Sequence, residues 1–134
     1  MARTYTSIIE AANANVIVDG NLDSIADYFS PDYVAHVTGQ HLTGGHDVVN
    51  QVVRAYRRAF SDIAVEVDVL VKERNRVAWQ RTLTAKHTGP FKGFPATGKP
   101  IIWRDMVVSE FRDGQIAEEW VVTDLAEKLL LSRK

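Results

Sequence analysis

The sequence contains no cysteine, and only four of its 134 residues are proline. The lack of cysteine excludes disulfide bonds, thiolate metal ligands and a cysteine nucleophile. It is also typical of proteins from a reducing compartment. No apolar run reaches membrane-span length, and the N-terminus lacks the apolar stretch of a secretory signal. We therefore expect a cytoplasmic protein that does not bind membranes.

An excess of charge of one sign is also missing. The chain has 16 Lys and Arg residues against 17 Asp and Glu residues, with no long block of like charge. Because nucleic-acid binding requires a basic face, nucleic acid is not an expected partner. The length and a hydrophobic content of 46% predict one domain, residues 1–134, with a single core.

The pattern of apolar residues divides the chain into a helical first part and a strand-rich second part. Helices are predicted from the capping box at Ser7 to Gly20, over 21–29 and over 47–60, with a short strand at 33–37. Strands follow at 63–73, 76–87, 100–111 and 115–124, and a short helix closes the chain. This order predicts an α+β fold, in which three N-terminal helices pack in a strongly curved, mainly antiparallel sheet. Such a sheet forms a cone-shaped barrel with an interior.

The turn at residues 112–115 decides which side chains of the last two strands share a face. A three-residue loop with a bulge at Gly114 places Asp105 and Glu119 on the same face. A two-residue loop would bring Trp120 to that face instead, and we favour the bulged loop. The opposite face then carries apolar side chains, which predict a homodimer interface: Ile102, Met106, Val108, Ile116 and Val122.

Asp105 is the leading candidate for chemistry, because it lies mid-strand between Trp103 and Val107. A carboxyl group in an apolar cavity has a raised pKa and can transfer protons near neutral pH. The alternative is that Asp105 faces solvent. Glu119 is the second candidate carboxylate.

His36 and His87 are placed at the rim or in the interior of the cone, where imidazole could give or take a proton close to Asp105. Arg81 could hold an anionic or enolate oxygen, and a surface salt bridge is the alternative. Although His36, His41 and His46 are evenly spaced, no second motif joins them, so no metal site and no cofactor are predicted. Candidates for substrate contacts are the aromatic residues Trp79, Trp103, Trp120, Tyr56, Phe60, Phe91 and Phe94, with core packing as the alternative.

The segment HTGPFKGFPATGK, residues 87–99, combines glycine and proline with two phenylalanines. Glycine and proline give an irregular loop between two strands. Phe91 and Phe94 are predicted to fold back as an apolar lid over the interior.

Four segments together resemble the SnoaL-like polyketide cyclase family, also called ester-cyclase-like. They are NLDSIADYFSPDYVAH (21–36), AYRRAFSD (55–62), HTGPFKGFPATGK (87–99) and FRDGQIAEEW with the later aspartate (111–124). The resemblance implies a cone-shaped barrel of the nuclear transport factor 2 type, a homodimer, and cofactor-free acid/base catalysis on a small hydrophobic carbonyl compound. It also implies an aspartate and a histidine at positions that are Val121 and Val107 here. Any proton transfer must therefore come from other residues, and epoxide opening or ligand binding without turnover remain alternatives.

Overall fold

The computed structural model describes residues 3–133. Its helices are α1 (Tyr5–Ala12), α2 (Ile25–Tyr28), α3 (His46–Ala59) and α4 (Leu125–Ser132); a π-helical segment (Asn13–Val18) continues α1, and a 3₁₀ turn (Leu22–Ser24) precedes α2. Its strands are β1 (Phe29–Val37), β2 (Gln40–Thr43), β3 (Phe60–Glu73), β4 (Arg76–His87), β5 (Pro100–Arg112) and β6 (Gln115–Thr123). No helix in this part of the chain is both long and apolar enough to cross a membrane.

The strands form one curved, open sheet in the order β2-β1-β6-β5-β4-β3. The β1–β6 pair is parallel, and the other neighbouring pairs are antiparallel. Helices α1 and α3 contribute their apolar stripes to a core shared with the inner face of this sheet. The predicted α+β fold with a strongly curved, mainly antiparallel sheet is confirmed.

The first helix begins three residues earlier than predicted, because the Oγ1 atom of Thr4 accepts a hydrogen bond from the backbone N–H of Ser7 at 3.0 Å. It does not continue as an α-helix to Gly20 but changes to the π-helical segment at Asn13. Gly20 has φ = 68°, and a Cβ atom there would lie 2.4 Å from the Arg57 side chain. The segment after the helix therefore needs glycine at this position.

Two predictions for the first strands are wrong. Strand β1 begins at Phe29 rather than at Tyr33, because Ser30 and Pro31 belong to the strand. They were expected to lie in a turn that ends the preceding helix. The hairpin strand β2 was not predicted at all. It is short and mostly exposed, so it lacks the apolar alternation that marks a strand in a sequence.

The turn between β5 and β6 differs from the predicted one, although the predicted facing of Asp105 and Glu119 to the same side is confirmed. Arg112 pairs with Gln115 across a two-residue turn, and the bulge lies at Ala117 rather than at Gly114. The bulge allows two consecutive apolar residues, Ile116 and Ala117, to be buried together. Ile116 is therefore a core residue, and the prediction that it lies on the outer face is wrong.

Candidate functional site

Asp105 lies on the inner face of β5, directly opposite Arg81 of β4. Its Oδ2 atom accepts hydrogen bonds from Nε and Nη2 of Arg81, at 3.0 Å and 2.6 Å. The Asp105 side chain is 0% exposed and that of Arg81 is 13% exposed. The sequence-based alternatives, a solvent-facing Asp105 and a surface salt bridge of Arg81, are therefore wrong. In a buried pair of this kind each charge depends on the other.

Arg81 is held from two further sides. Its Nη1 atom donates to Oδ1 of Asn13 at 3.1 Å, and Asn13 in turn donates to the carbonyl of Ile9 at 2.8 Å. The Arg81 guanidinium also lies over the ring of Trp79, 5.4 Å from its centroid. Asn13 is the first residue of the π-helical segment, a conformation that recurs at functional sites. The irregular helix thus supplies a polar contact for the buried cation.

A second buried carboxylate, Glu119, lies on the inner face of β6 and is 8% exposed. Its Oε1 atom accepts a hydrogen bond from the Tyr33 hydroxyl at 2.7 Å, and its Oε2 atom accepts one from the Ser109 hydroxyl at 2.5 Å. Ser109 accepts a hydrogen bond from Nε1 of Trp79 at 2.9 Å. Both carboxylate oxygens of Glu119 are thus engaged, whereas Asp105 uses only one.

The charges of this centre act on its tyrosines and its arginine. Burial, followed by the charge of Asp105, raises the pKa of Tyr56 to about 12. Burial and the Glu119 carboxylate raise the pKa of Tyr33 well above its ordinary value. Burial lowers the pKa of Arg81, but acidic neighbours led by Asp105 outweigh it, so that the pKa is raised overall. Both tyrosines therefore remain neutral hydrogen-bond donors near neutral pH, and Arg81 remains charged.

The Oδ1 atom of Asp105 is buried and has no hydrogen-bond partner within residues 3–133. Because the side chain is fully enclosed, no water-sized space adjoins it in this structure. The prediction that Asp105 lines the cavity of the cone is therefore wrong for this conformation, because Trp79, Trp103 and Val107 fill the surrounding interior. A substrate can reach Oδ1 only if interior side chains move.

His87 lies at the last position of β4, on the inner face and 1% exposed. It is six residues beyond Arg81, which corresponds to roughly 20 Å of strand. His87 therefore does not share a proton with Asp105, directly or through one water, contrary to the prediction. Its ring instead packs against Phe60, with centroids 5.3 Å apart.

An aromatic group surrounds Phe60, the first residue of β3. The centroid of its ring lies 4.8 Å from that of Trp103, 5.5 Å from that of Phe91 and 6.2 Å from that of Tyr56. Phe60 was predicted as the last residue of α3, but it has extended backbone angles and belongs to the strand. This group closes the interior between Asp105 and His87.

The loop of residues 88–99 is anchored to the end of α3. The backbone N–H groups of Thr88 and Gly89 donate to the carbonyl of Ala59, at 2.9 Å and 3.0 Å. Phe91 and Phe94 exchange two backbone hydrogen bonds, at 2.9 Å and 2.8 Å, across a tight turn. Phe91 is buried in the aromatic group and Phe94 is half-buried against it. Both phenylalanines thus face the interior.

His36 and Trp120 lie on the outer face of the sheet. The position of His36 contradicts its prediction, whereas Trp120 faces outward as the favoured loop predicts and is therefore not the substrate contact that was also predicted. They are paired across β1 and β6, and their rings stack with centroids 5.2 Å apart. His36 contacts Glu118 at 2.7 Å and His41 at 3.0 Å. The alternation of the strands turns all of these side chains away from Asp105. His36 and Trp120 therefore cannot share the predicted site.

Among the described residues, no group of three His, Asp or Glu side chains could hold a metal ion. His46 lies apart from His36 and His41, with its Nε2 atom 2.8 Å from the carbonyl of Phe29. The evenly spaced histidines therefore do not converge.

Three residues of the site were missed in the sequence. Ser109 could have been found by continuing the alternation of β5 past Val107, and Tyr33 by continuing that of β1 inward from Ala35. Asn13 carries no comparable signal, because its orientation depends on the π-helical segment. The structure thus brings together Asp105, Arg81, Glu119, Trp79, Tyr56 and Trp103 from the predicted set and adds these three.

The described architecture is that of nuclear transport factor 2-like proteins, and a model of the family SnoaL-like polyketide cyclase matches residues 7–130. The chain therefore belongs to the SnoaL-like polyketide cyclase family. A search of curated protein sequences found no match.

Solved structures agree with this assignment. AclR from Streptomyces galilaeus, a candidate hydroxylase, is 27% identical, with 96% of this chain and 94% of AclR covered and a TM-score of 0.80. IdmH from Streptomyces antibioticus, a candidate polyketide cyclase, is 25% identical, with coverages of 97% and 99% and a TM-score of 0.78. A candidate polyketide cyclase from Acidithiobacillus ferrooxidans is 24% identical, with both coverages 98% and a TM-score of 0.83, and shows the shared fold.

Proposed function

We propose that the protein is a cofactor-independent acid/base enzyme that cyclises, isomerises or dehydrates a small hydrophobic carbonyl compound of polyketide or terpenoid type. The observation that carries this proposal is the hydrogen bonding of the two Asp105 carboxylate oxygens. One oxygen is fixed by Arg81, and the other is buried with no hydrogen-bond partner among residues 3–133. A carboxylate oxygen held in this way is a suitable general base.

In the proposed reaction, Oδ1 of Asp105 takes a proton from the acidic C–H group next to the substrate carbonyl. The bonding electrons move to the carbonyl oxygen and form an enolate. The Tyr56 hydroxyl, on which the charge of Asp105 acts and which stays neutral because its pKa is raised, is the candidate to donate a hydrogen bond to that oxygen. In a cyclisation the enolate carbon then attacks a second carbonyl, and the proton held by Asp105 goes to the new alkoxide.

The test is deuterium uptake from D2O at the acidic carbon of ethyl β-oxodecanoate, a straight-chain β-keto ester, measured by NMR above the uncatalysed rate. Asp105→Asn keeps the shape of the side chain but removes the base, so we expect a loss of about 100-fold or more. Asp68→Asn, an exposed position on β3, is the matched control. Glu119→Gln tests the rival carboxylate. The assignment is wrong if Asp105→Asn keeps full activity.

Epoxide opening is the second candidate, because the charges of both Asp105 and Glu119 act on Arg81, which places the cation near two carboxylates. One carboxylate could activate a water while the other, protonated, serves the epoxide oxygen. Hydrolysis of styrene oxide in heavy-oxygen water would place one labelled hydroxyl in the diol. If neither substrate reacts and hydrophobic ketones still bind, the third alternative, a binding protein without turnover, is favoured.

We further propose a homodimer formed through the outer face of the sheet. Ile102, Met106 and Val122 are exposed there, with Val122 at 64%. Exposed apolar patches on a sheet commonly mark an interface. Light scattering at micromolar concentration should give the mass of a dimer, and Met106→Lys combined with Val122→Lys should give a monomer. A stable monomer of the unmodified protein would remove this proposal.

Phe91 and Phe94 are proposed to form a lid that moves when substrate enters. Phe94→Ala removes a half-buried ring and should weaken binding of ethyl β-oxodecanoate by about 1–3 kcal/mol, the scale for burial of such a side chain. Thermal unfolding of Phe94→Ala should change little. A large loss of stability without loss of affinity would show that the loop only covers the core.

A further inference from the structure

Within residues 3–133, the buried side-chain atoms without a hydrogen-bond partner are Oδ1 of Asp105, Nε1 of Trp103 and both ring nitrogens of His87. More than about 90% of buried polar groups in native proteins are partnered. Leaving one unpartnered loses its hydrogen bonds to water without replacement, and the net stability of a folded domain is small. Three such residues in one interior are therefore a substantial cost that folding alone does not explain.

The three residues follow one another along the inner face. Asp105 and Trp103 are two residues apart on β5 and share its inner face. His87 lies further along the adjacent strand β4, at its end. Phe60 contacts the rings of both Trp103 and His87, at 4.8 Å and 5.3 Å between centroids. The unpartnered atoms thus extend from the charged centre toward the loop of residues 88–99. The aromatic ring of Phe60 lies between those of Trp103 and His87.

We propose that Trp103 and His87 form a polar subsite for oxygen atoms at the far end of an elongated, polyoxygenated substrate whose reacting carbon lies at Asp105. This inference rests on the proposed function and specifies its substrate class. The indole N–H can only donate, so its partner is a carbonyl or hydroxyl oxygen. A neutral imidazole has one donor and one acceptor nitrogen, and a hydroxyl group matches the acceptor nitrogen.

Phe60 and Phe91 determine access to this subsite. Their rings are 5.5 Å apart and fill the space beside His87 and Trp103. Ala59, which precedes Phe60, accepts two of the hydrogen bonds that anchor the loop bearing Phe91. A shift of the loop can therefore displace both rings together, and the substrate chain takes their place along the inner face.

The first test compares the binding of two probes by NMR titration, ethyl β-oxohexadecanoate and its derivative with a hydroxyl group at the far end of the chain, because this longer chain can extend from Asp105 to His87. The unmodified protein should bind the hydroxylated ester at least about tenfold tighter, because only this ester satisfies the subsite. His87→Phe should abolish that preference, and His36→Phe, on the outer face, should keep it. Equal affinities in the unmodified protein, no binding of either ester, or a preference that survives His87→Phe would each overturn the proposal.

The second test needs no ligand. Replacing an unpartnered buried polar ring with an apolar ring of similar shape should leave stability unchanged or increase it. His87→Phe should therefore unfold at the same or a higher urea concentration. A clear loss of stability, or failure to fold, would show that His87 has a structural role and would overturn the subsite.

Deuterium uptake distinguishes this inference from the proposed function. If Asp105 is the base and the subsite is wrong, the two esters bind with equal affinity and both take up deuterium. His87→Phe then leaves their relative exchange rates unchanged. If the subsite is right and Asp105 is not the base, the binding preference remains while Asp105→Asn exchanges as fast as the unmodified protein.

Discussion

Glu118 and Glu119 are consecutive residues of β6 with the same side chain, yet they lie on opposite faces of the sheet. On the outer face, Glu118 pairs with His36, and both side chains are about a quarter exposed, at 26% and 28%. On the inner face, Glu119 is buried and accepts hydrogen bonds from Tyr33 and Ser109. The same functional group therefore forms a screened surface pair on one side and part of a buried polar network on the other.

This difference extends over the whole sheet. The outer face holds exposed charged pairs, such as Arg76 with Glu110, beside exposed apolar residues. The inner face holds the Arg81–Asp105 pair, enclosed by aromatic rings. Burial raises the pKa of Tyr33 and Tyr56, and the unscreened charges of Glu119 and Asp105 raise them further. A change to either partner of the Arg81–Asp105 pair is costly for the same reason. The chemistry proposed for the protein depends on this enclosure.

The largest effect is expected from the tryptophans of the two faces. Trp103 is 0% exposed, so Trp103→Ala should lower the free energy of unfolding by about 3–5 kcal/mol. Trp120→Ala on the outer face removes a half-buried ring that stacks on His36 and lies beneath the Arg76 guanidinium, and about 1 kcal/mol is expected. Urea unfolding measures both values. Similar losses would contradict the assignment of the two rings to different environments.

The arginines provide the next comparison. Arg81→Leu leaves the Asp105 charge buried without its partner and should cost at least about 3 kcal/mol. Arg76→Leu breaks a pair whose arginine is 58% exposed and should cost less than about 1 kcal/mol. If added salt weakened the effect of Arg81→Leu as much as that of Arg76→Leu, the inner pair would have to be accessible to solvent.

Alkaline pH tests the inner face alone. The pKa of Tyr56 is raised from 10.0 to about 12 in the folded protein. The corresponding stabilisation is complete below pH 10 and is lost as the pH rises from 10 to about 12, because the unfolded tyrosine ionises first. Tyr56→Phe should remove on the order of 2 kcal/mol of this pH dependence.

The sequence was sufficient to predict the fold class and the facing of Asp105, because apolar alternation on β4 and β5 is regular and the pairing is antiparallel. It was insufficient where the chain departs from a regular repeat. The orientation of Asn13 depends on a π-helical segment, and β2 lacks apolar alternation. His36 was misplaced because the face that a short strand presents depends on its parallel partner β6, which lies far away in the sequence.

The turn at Asp113 and Gly114 shows a different kind of success. The predicted bulge was placed at Gly114, where it would give Asp105 and Glu119 the same facing as the bulge observed at Ala117, but would turn Ile116 outward. Turn preferences therefore located an extra residue in the hairpin but not its position. The burial of both Ile116 and Ala117 determines that position, and it is a property of the packed core.

The smallest effect is expected from the two glutamates, and it tests the bulge directly, because a hairpin without it would exchange their faces. Glu119→Gln replaces one acceptor oxygen with an NH2 group that faces the hydroxyl of Tyr33 or Ser109, so about 1–3 kcal/mol should be lost. Glu118→Gln weakens only the partly exposed pair with His36, and less than about 1 kcal/mol is expected. Urea unfolding at neutral pH measures both variants in the same way. A larger loss for Glu118→Gln than for Glu119→Gln would mean that the register between β5 and β6, and with it the inward facing of Asp105, is wrong.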